Sequence, residues 1–512
     1  MFIKIHSGAI SGIEAVEVSV EVNVAGGGIG LFIVGLPDNT IKESEQRIQA
    51  AYENSGYRLL AKKIVVNLAP ADLRKEGSLY DLPIAVGILV ATEQLSSKYI
   101  EDSMFIGELS LNGELRGVKG VLPLVAMARA RGLKRVFLPK ENVAEGAVVE
   151  GVEIIGVSSL VELCEILSER MPYTPAEHVI SSVDMAEESL YAEDFADVKG
   201  QAYVKRALEI AAAGGHNIIM IGSPGSGKTM LARRMPTIMP PMTLDEALET
   251  TKIHSVAGKI GAHRGLILER PFRAPHHLTS QVALIGGGTY PQPGEVSLAN
   301  NGVLFLDEMP EFGRNVLEVL RQPLEDRHIT ISRAKYSVDY PARFTLIASM
   351  NPCPCGYYGH PSKECICQPG ARQRYMNRIS GPLLDRIDIQ IEVSPVEFDD
   401  ISSTTPSESS AAIRERVVKA REIQTERFRN VKGVHCNAQM TSALLRQYAQ
   451  PDEKGLARLR DAMERLNMSA RAYDRILKVA RTIADLEGSA DVKQHHIAEA
   501  INYRNLDRED RL

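Results

Sequence analysis

Apolar and polar residues alternate along VEVSVEVNV (16–24), the period of a strand with one face in a core. GIGLFIVGL (28–36) and KKIVVNLAP (62–70) are further short β-rich runs. Between them, IKESEQRIQAAYENSG reads as a helix that ends on Gly56 as its C-cap. This alternation predicts an α+β unit over residues 1–167. HNIIMIG (216–222), VLFLDE (303–308) and FTLIASMN (344–351) begin differently, as nearly unbroken apolar runs. Such runs are strands of an open α/β sheet. MLARRM after the first predicts a helix stopped at Pro236. HITISRAKYSVDYPARF (328–344) predicts two alternating strands around Arg333 and Lys335. The last hundred residues are helical in pattern. Ser469 is placed to cap ARAYDRILKVARTIADL, and Asp491 with Gln494 forms a capping-box pattern before HHIAEAINYR.

Two stretches break these patterns. Residues 168–194 are acidic and lack sustained apolar periodicity, and FDDISSTTPSESS (398–410) is rich in Ser, Thr and Pro. Read as linkers, they leave three blocks: 1–167, 195–397 and 411–512. Three domains also suit a chain of 512 residues.

Composition narrows the class. Apolar content of 44% and charged content of 24% are those of a soluble globular protein. The start of the chain lacks the cationic-then-apolar order of a leader, and no apolar run is long enough to span a bilayer. Six cysteines in the whole chain fit a reducing compartment, so a cytoplasmic location is expected. Net charge is −6, so any nucleic-acid contact must come from a local basic surface.

The chemistry begins at GSPGSGKT (222–229), which matches G-x-x-x-x-G-K-[ST] between a strand and a helix. Gly222, Ser223, Pro224, Gly225, Ser226 and Gly227 would wrap a phosphate with inward-pointing backbone N–H groups. Lys228 would reach the β- and γ-phosphates, and the Thr229 hydroxyl would bind Mg²⁺. VLFLDE then brings two acids to the carboxyl end of a buried strand, facing the ligand crevice. Asp307 would hold Mg²⁺ and Glu308 would polarise the attacking water. An Asp–Glu pair alone is a common strand terminus; together with the phosphate loop it points to nucleotide hydrolysis. Asn351 ends the third strand, where its amide could orient the water or bind the γ-phosphate, or simply turn the chain.

Four of the six cysteines crowd into NPCPCGYYGHPSKECICQPG (351–370), directly after Asn351. Cys353, Cys355, Cys365 and Cys367 supply four soft ligands, enough for a closed tetrahedral Zn²⁺. Free thiols or a redox pair are the alternatives, and His360 could replace one cysteine. ARQRYMNR follows at once, with Arg372, Arg374 and Arg378 around Tyr375. These groups could meet DNA, Arg on phosphate and Tyr on a base face.

Strand and phosphate loop, acidic strand, Asn-ended strand and a following helical domain resemble an AAA+ ATPase. RPFRAPHH (270–277), GGGTYPQPGEVSLANNGVLFLDE (286–308) and LRQPLEDRHITISRA (320–334) are similar to the magnesium-chelatase-like ComM/YifB family. The resemblance covers nearly the whole chain. It implies an AAA+ P-loop α/β core over 195–397 with hairpin inserts, and a C-terminal helical lid over 411–512. It also implies an adenine pocket near Val198 and Gly200, and a hexameric ring. Arg386 in SGPLLDRIDI (380–389) would be an arginine finger reaching the neighbour's ATP, and Arg471 a lid arginine that senses nucleotide. LIGGGTYPQPGEV (284–296) and the hairpin bearing Arg333 and Lys335 would be pore hairpins that meet DNA. His276 and His277 are left without a role.

Residues 107–142 resemble the second half of the Lon protease domain, which implies a Lon-like domain of the ribosomal S5 domain 2 type. Its chemistry is missing. Lon-type proteolysis needs a serine and an activating lysine, yet Leu122, Pro123 and Leu124 occupy the lysine region. KEGSLYDLP (75–83) replaces the serine motif, Ser78 has no evident base, and Lys119 is off register. An inactive scaffold is expected. The family implies branch migration of single-stranded and branched DNA during natural transformation, together with recombination proteins and away from membranes. The rivals are a magnesium-chelatase-type motor acting on a protein partner and a nucleotide-switched assembly factor.

Overall fold

The computed structural model describes residues 1–26, 28–96, 98–178, 191–261, 265–288, 291–333, 336–396, 407–466 and 468–504. The chain forms two compact units. One is Met1–Met185 with Leu244–Ile267; the other is Ala186–Thr243 with Leu268–Leu512.

The first unit is built on a mixed seven-stranded sheet: β1 (Phe2–Ser11), β2 (Glu14–Ala25), β3 (Gly30–Val34), β4 (Lys63–Ala69), β5 (Ser103–Phe105), β6 (Arg135–Pro139) and β7 (Glu153–Val157). Their order is β3-β4-β2-β1-β5-β6-β7. Val18, Val20 and Val22 on β2 are fully buried, so the alternation read from the sequence is the pleat of this strand. The predicted helix is split at Glu43. Its longer part, Ser44–Ser55, ends on Gly56 in the left-handed region at φ 80°. Helices Asp81–Ala91 and Val121–Ala130 cover the sheet, and helix Leu244–Val256 packs on Val121–Ala130. The Gly120 N–H donates to Ser255 O at 3.2 Å, and the Ser255 hydroxyl donates to Glu145. Leu244–Ile267 thus belongs to this unit, although in sequence it lies inside 195–397.

The second unit holds five parallel strands: β8 (Ile218–Gly222), β9 (Phe272–Arg273), β10 (Val303–Leu306), β13 (Thr345–Met350) and β14 (Ile389–Val393), in the order β9-β10-β13-β8-β14. Every residue of β8, β10 and β13 is buried, which is why they read as unbroken apolar runs. Between β10 and β13, strands β11 (His328–Arg333) and β12 (Tyr336–Pro341) form the predicted antiparallel hairpin. The chain order reverses around β8. This is the switch point where α/β sheets open a crevice at the carboxyl ends of their strands.

Helices follow: Ser410–Phe428, Ser442–Tyr448, Glu453–Arg465, Ala470–Leu486 and Gln494–Asn502. Ser469 caps Ala470–Leu486 by accepting from the Ala472 N–H. The last helix differs from its sequence reading. Its N-cap is Lys493, whose N–H donates to His496 Nδ1 at 2.9 Å, so Asp491 and Gln494 do not form the box. The phosphate-loop helix also ends earlier than expected, at Arg233. Pro236 sits in the first turn of a second helix, Met235–Ile238, where a proline's missing N–H costs nothing.

A buried polar cluster ties the helical region to the sheet. His216, just before β8, lies 3.2 Å from Asp388 Oδ2 through Nδ1 and 2.8 Å from Thr482 Oγ1 through Nε2. Arg475 donates to Asp388 Oδ1 at 2.8 Å. No described helix is long and apolar enough to cross a membrane.

Candidate nucleotide site and its surroundings

β8 runs out into the phosphate loop, and helix Lys228–Arg233 starts at its end. Gly225 and Gly227 take left-handed φ angles of 81° and 86°, which side chains resist. Lys228 folds back into the loop, and its Nζ donates to Gly222 O at 2.7 Å and Ser223 O at 3.0 Å. Burial pushes the Lys228 pKa below the usual lysine value, opposed by the charges of Asp307 and Glu308. The Ser223 hydroxyl is buried without a hydrogen-bond partner. Gln201, one residue beyond Gly200, clamps the loop by donating from Nε2 to Ser226 O at 2.9 Å and Ser394 O at 3.2 Å. Val198 is buried and accepts from Lys205 Nζ at 2.6 Å.

The acidic strand delivers its carboxylates beside this loop. Thr229 Oγ1 donates to Asp307 Oδ2 at 2.9 Å, and the Ser349 hydroxyl of β13 donates to Asp307 Oδ1. A hydroxyl and a carboxylate facing each other are the oxygen donors that suit Mg²⁺. Glu308 adopts a left-handed φ of 51°, and its N–H donates to Ser349 Oγ at 3.2 Å. This turn swings its side chain out, 53% exposed. His277 Nδ1 lies 4.0 Å from Glu308 Oε2, with the His277 ring against His276 and edge-on to Phe312. The Asn351 carboxamide lies beside Gly356 and Pro224.

Arg386 and Arg471 meet in a separate hollow of about 160 Å³, with Glu325, Asp385, Arg475 and Lys478. Arg386 pairs with Glu325 and also donates to Pro382 O at 2.7 Å; its side chain is 16% exposed. Arg471 is 68% exposed and donates to Asp385 Oδ2 at 3.0 Å. Burial, with Arg475 adding to it, pushes Lys478 down to about 8. The two arginines expected to act on nucleotide therefore share one hollow, where Asp474 adds a third carboxylate to those of Glu325 and Asp385.

The cysteine loop closes on itself. Cys353 Sγ is 3.3 Å from Cys355 Sγ and 3.7 Å from Cys365 Sγ, and Cys355 and Cys365 are 3.6 Å apart. All four sulfurs, Cys367 included, lie within 4.8 Å of one another. No disulfide joins them. Sulfurs around a tetrahedral Zn²⁺ at about 2.3 Å would sit about 3.8 Å apart, so the cluster has the size of a metal site. The thiols shift one another in opposite directions: the Tyr357 N–H pulls Cys355 down to about 6, while burial and the neighbouring sulfurs push Cys365 up and Cys367 up to about 12. His360 is occupied elsewhere: its Nδ1 accepts from the Ser362 and Lys363 N–H groups at 3.1 and 3.2 Å.

The residues expected to meet DNA fall differently. Tyr375 is buried, with its hydroxyl on the backbone of Asn351, so its ring is not offered to a base. Its place on the inner face of Ala371–Met376 follows from packing that the sequence could not show. Arg374 is exposed, and the Arg372 guanidinium lies 4.0 Å over the Tyr358 ring. Lys335 and the side chain of Arg333 lie outside the described residues. Sequence reasoning missed Gln201, Ser349 and Glu325. It noted His277 but gave it no partner. In the first unit, Ser78 donates to Glu108, while Lys75 Nζ is buried against Pro70 O and Gly35 O.

Family models place these features in context. Residues 194–401 match the model described as magnesium chelatase, subunit ChlI; residues 20–142 match subunit ChlI of Mg-chelatase; residues 407–504 match the ChlI C-terminal model. The chain is 44% identical over 508 residues to competence protein ComM of Haemophilus influenzae, covering 98% of this chain and 97% of that protein. It is 42% identical over 509 residues to YifB of Escherichia coli, at the same coverage. A shorter match, 34% over 79 residues, is to the DNA repair protein RadA of Listeria monocytogenes, covering 15% of this chain and 17% of that protein.

Proposed function

The chain belongs to the ComM/YifB family, with magnesium-chelatase-like AAA+ domains, and on that premise we propose that it is a ring-forming, DNA-moving ATPase. Its task would be branch migration while incoming strands recombine in natural transformation. The observation that carries the ATPase reading is the convergence at two parallel strand ends, those of β8 and β10: Lys228 inside its loop, Thr229 on Asp307, and Glu308 turned outward.

In this reading Val198 and Gly200 flank the adenine, and Gln201 fixes the loop next to it. Lys228 leaves its two carbonyls for the β- and γ-phosphates. Thr229 and Asp307 hold Mg²⁺, which neutralises phosphate charge. Glu308 takes a proton from the attacking water, and Asn351 orients that water or the γ-phosphate. Among the described contacts, Arg386 and Arg471 touch acids of their own hollow rather than their own phosphate loop. Arg386 would reach the ATP of a neighbouring copy and Arg471 would sense nucleotide from the helical region, in a homo-oligomer that we read as a hexameric ring.

DNA would pass the tips of the β11–β12 hairpin, where Arg333 and Lys335 stand in sequence, and the exposed Arg374 with Arg372. The four cysteines would hold a structural Zn²⁺. The names of two relatives, a competence protein and a DNA repair protein, support nucleic acid as the cargo. The absence of a lysine partner for Ser78 among the described contacts argues against peptidase work. We place the protein in the cytoplasm, in company with recombination proteins.

A second reading, a chelatase-type motor acting on a protein partner, is favoured by the descriptions of the three family models. One experiment separates the two: ATP turnover of the purified protein with and without single-stranded and branched DNA. Several-fold stimulation by DNA, with nucleotide-dependent assembly, is expected. Turnover that ignores DNA in a protein that stays single-chained would overturn the proposal. ATP binding without DNA stimulation or unwinding would favour a nucleotide-switched assembly factor.

A further inference from the structure

The cysteine loop comes up against the phosphate loop where Gly356 faces Pro224. Gly356 is buried at φ 83°, and a Cβ added to it would lie 2.6 Å from Cδ and 2.8 Å from Cγ of Pro224. Both sides of this contact are stiff. Gly356 belongs to a turn closed by its own N–H on Cys353 O at 2.9 Å, and that turn carries Cys353 and Cys355. Pro224 has a fixed φ and stands between Ser223 and Gly225. The peptide just before it supplies Ser223 O, one of the two carbonyls that hold Lys228.

Residues 351–370 contain no helix or strand. The four-thiol cluster and the turn from Cys353 to Gly356 are ties within this loop that bear on where Gly356 stands. We propose that the metal-closed cysteine loop is a backstop for the phosphate loop, with Gly356 as a positioning residue acting through Pro224, so that metal and nucleotide stabilise each other. This rests on the zinc reading given above. With four thiolates around one ion, the Cys353–Gly356 turn is held against Pro224, and the loop stays open at the width that phosphate needs. Without the ion, the turn loses two of its anchors, and Pro224 can move into the freed space. The loop then has more shapes to give up when phosphate binds, and affinity falls. Coupling between two sites is reciprocal. If zinc tightens nucleotide binding, nucleotide must tighten zinc binding by the same factor, and slower zinc loss is the readout of that tightening.

The test uses the full-length protein and reads binding, not turnover. Zinc content is measured by elemental analysis, and the affinity for a fluorescent ATP analogue is measured before and after zinc removal with a chelator. Zinc release to a chromophoric chelator is then timed with and without ADP. We expect one zinc per chain, nucleotide affinity weakened about tenfold by its removal, and zinc release that is slower with ADP than without it. Lys228→Ala should keep its zinc but lose the protection by ADP. Pro224→Ala removes the ring that Gly356 meets; it should keep stoichiometric zinc while both effects shrink toward none. Full zinc occupancy with nucleotide affinity and release rate independent of each other would overturn the backstop and leave the zinc reading standing. Protein without zinc and with four freely titrating thiols would overturn both.

Discussion

His277 Nδ1 stands 4.0 Å from Glu308 Oε2, across the mouth of the phosphate site. The distance exceeds a hydrogen bond, so the ring bounds the space of the carboxylate as a wall, not as a fixed donor. Glu308 has few other restraints, because its left-handed backbone turn leaves the side chain half in solvent. The aromatic neighbours of His277, the His276 ring and Phe312, hold the imidazole in place. Replacing His277 with Ala should lower kcat by about tenfold through misplacement of the base. Nucleotide affinity should stay unchanged, and His277→Asn should restore part of the loss. Equal kcat for wild type and His277→Ala would make the pairing a bystander.

Lys228 and Glu308 should separate binding from chemistry. Lys228 is the only described ammonium donating to the loop carbonyls, and its burial is tolerable because those carbonyls accept from it. Lys228→Ala should abolish binding of a fluorescent ATP analogue. Glu308 touches none of the phosphate-loop carbonyls, so Glu308→Gln should bind the analogue normally and lose turnover by about a hundredfold or more. Normal turnover by Glu308→Gln would remove it from the mechanism.

Much of this site could be read from the chain because its determinants are local. Phosphate loop, acidic strand and Asn-ended strand each declare themselves over six to eight neighbouring residues, and burial on both faces makes their strands unbroken runs. Gly56 as a C-cap and Ser469 as an N-cap were legible for the same reason. What stayed hidden depends on partners far apart in sequence. Pro224 meets Gly356, Gln201 meets Ser394, and Ser349 meets Asp307 only once the sheet order brings them together. Helix Leu244–Val256 is only weakly amphipathic, burying Thr250, Thr251, His254 and Ser255 along with its apolar residues, and nothing in it announces that it packs on Val121–Ala130. Tyr375 was misplaced because Arg residues on both sides suggest a surface, while a six-residue helix has an inner face that those neighbours do not reveal.

Arg386 offers a test of shared sites. Its guanidinium is held by Glu325, whose carboxylate it keeps below the usual range, so release of Arg386 toward a neighbour's phosphate must break that pair. Arg386→Ala should lower ATP turnover about a thousandfold while leaving nucleotide binding intact. Lys228→Ala is equally inactive for a different reason. Mixing the two dead proteins should restore turnover, since about one interface in four of a randomly mixed ring joins an intact Lys228 to an intact Arg386. No recovery in mixtures shown to co-assemble would place Arg386 outside the neighbour's site.

Asp388 carries the last prediction, on stability. It is fully buried, and burial works against its charge, but Arg475 and the hydrogen bond from His216 outweigh that and hold its pKa well below the ordinary carboxylate range. A depressed pKa stabilises the fold wherever the carboxylate is charged in both states. Its contribution should be complete above about pH 4 and fade as pH falls further, through the folded-state value. Asp388→Ala leaves Arg475, still 24% exposed to solvent, without its buried carboxylate and should cost roughly 1 to 3 kcal/mol at pH 7. Denaturant midpoints for wild type and variant should differ most at neutral pH and draw together below about pH 4. Because Asp388 lies two residues beyond Arg386 and binds helix Ala470–Leu486 through Arg475, the same substitution should also loosen the hollow that holds Arg471. A variant whose midpoint matches wild type at pH 7 would show that the cluster contributes nothing to the junction of sheet and helices.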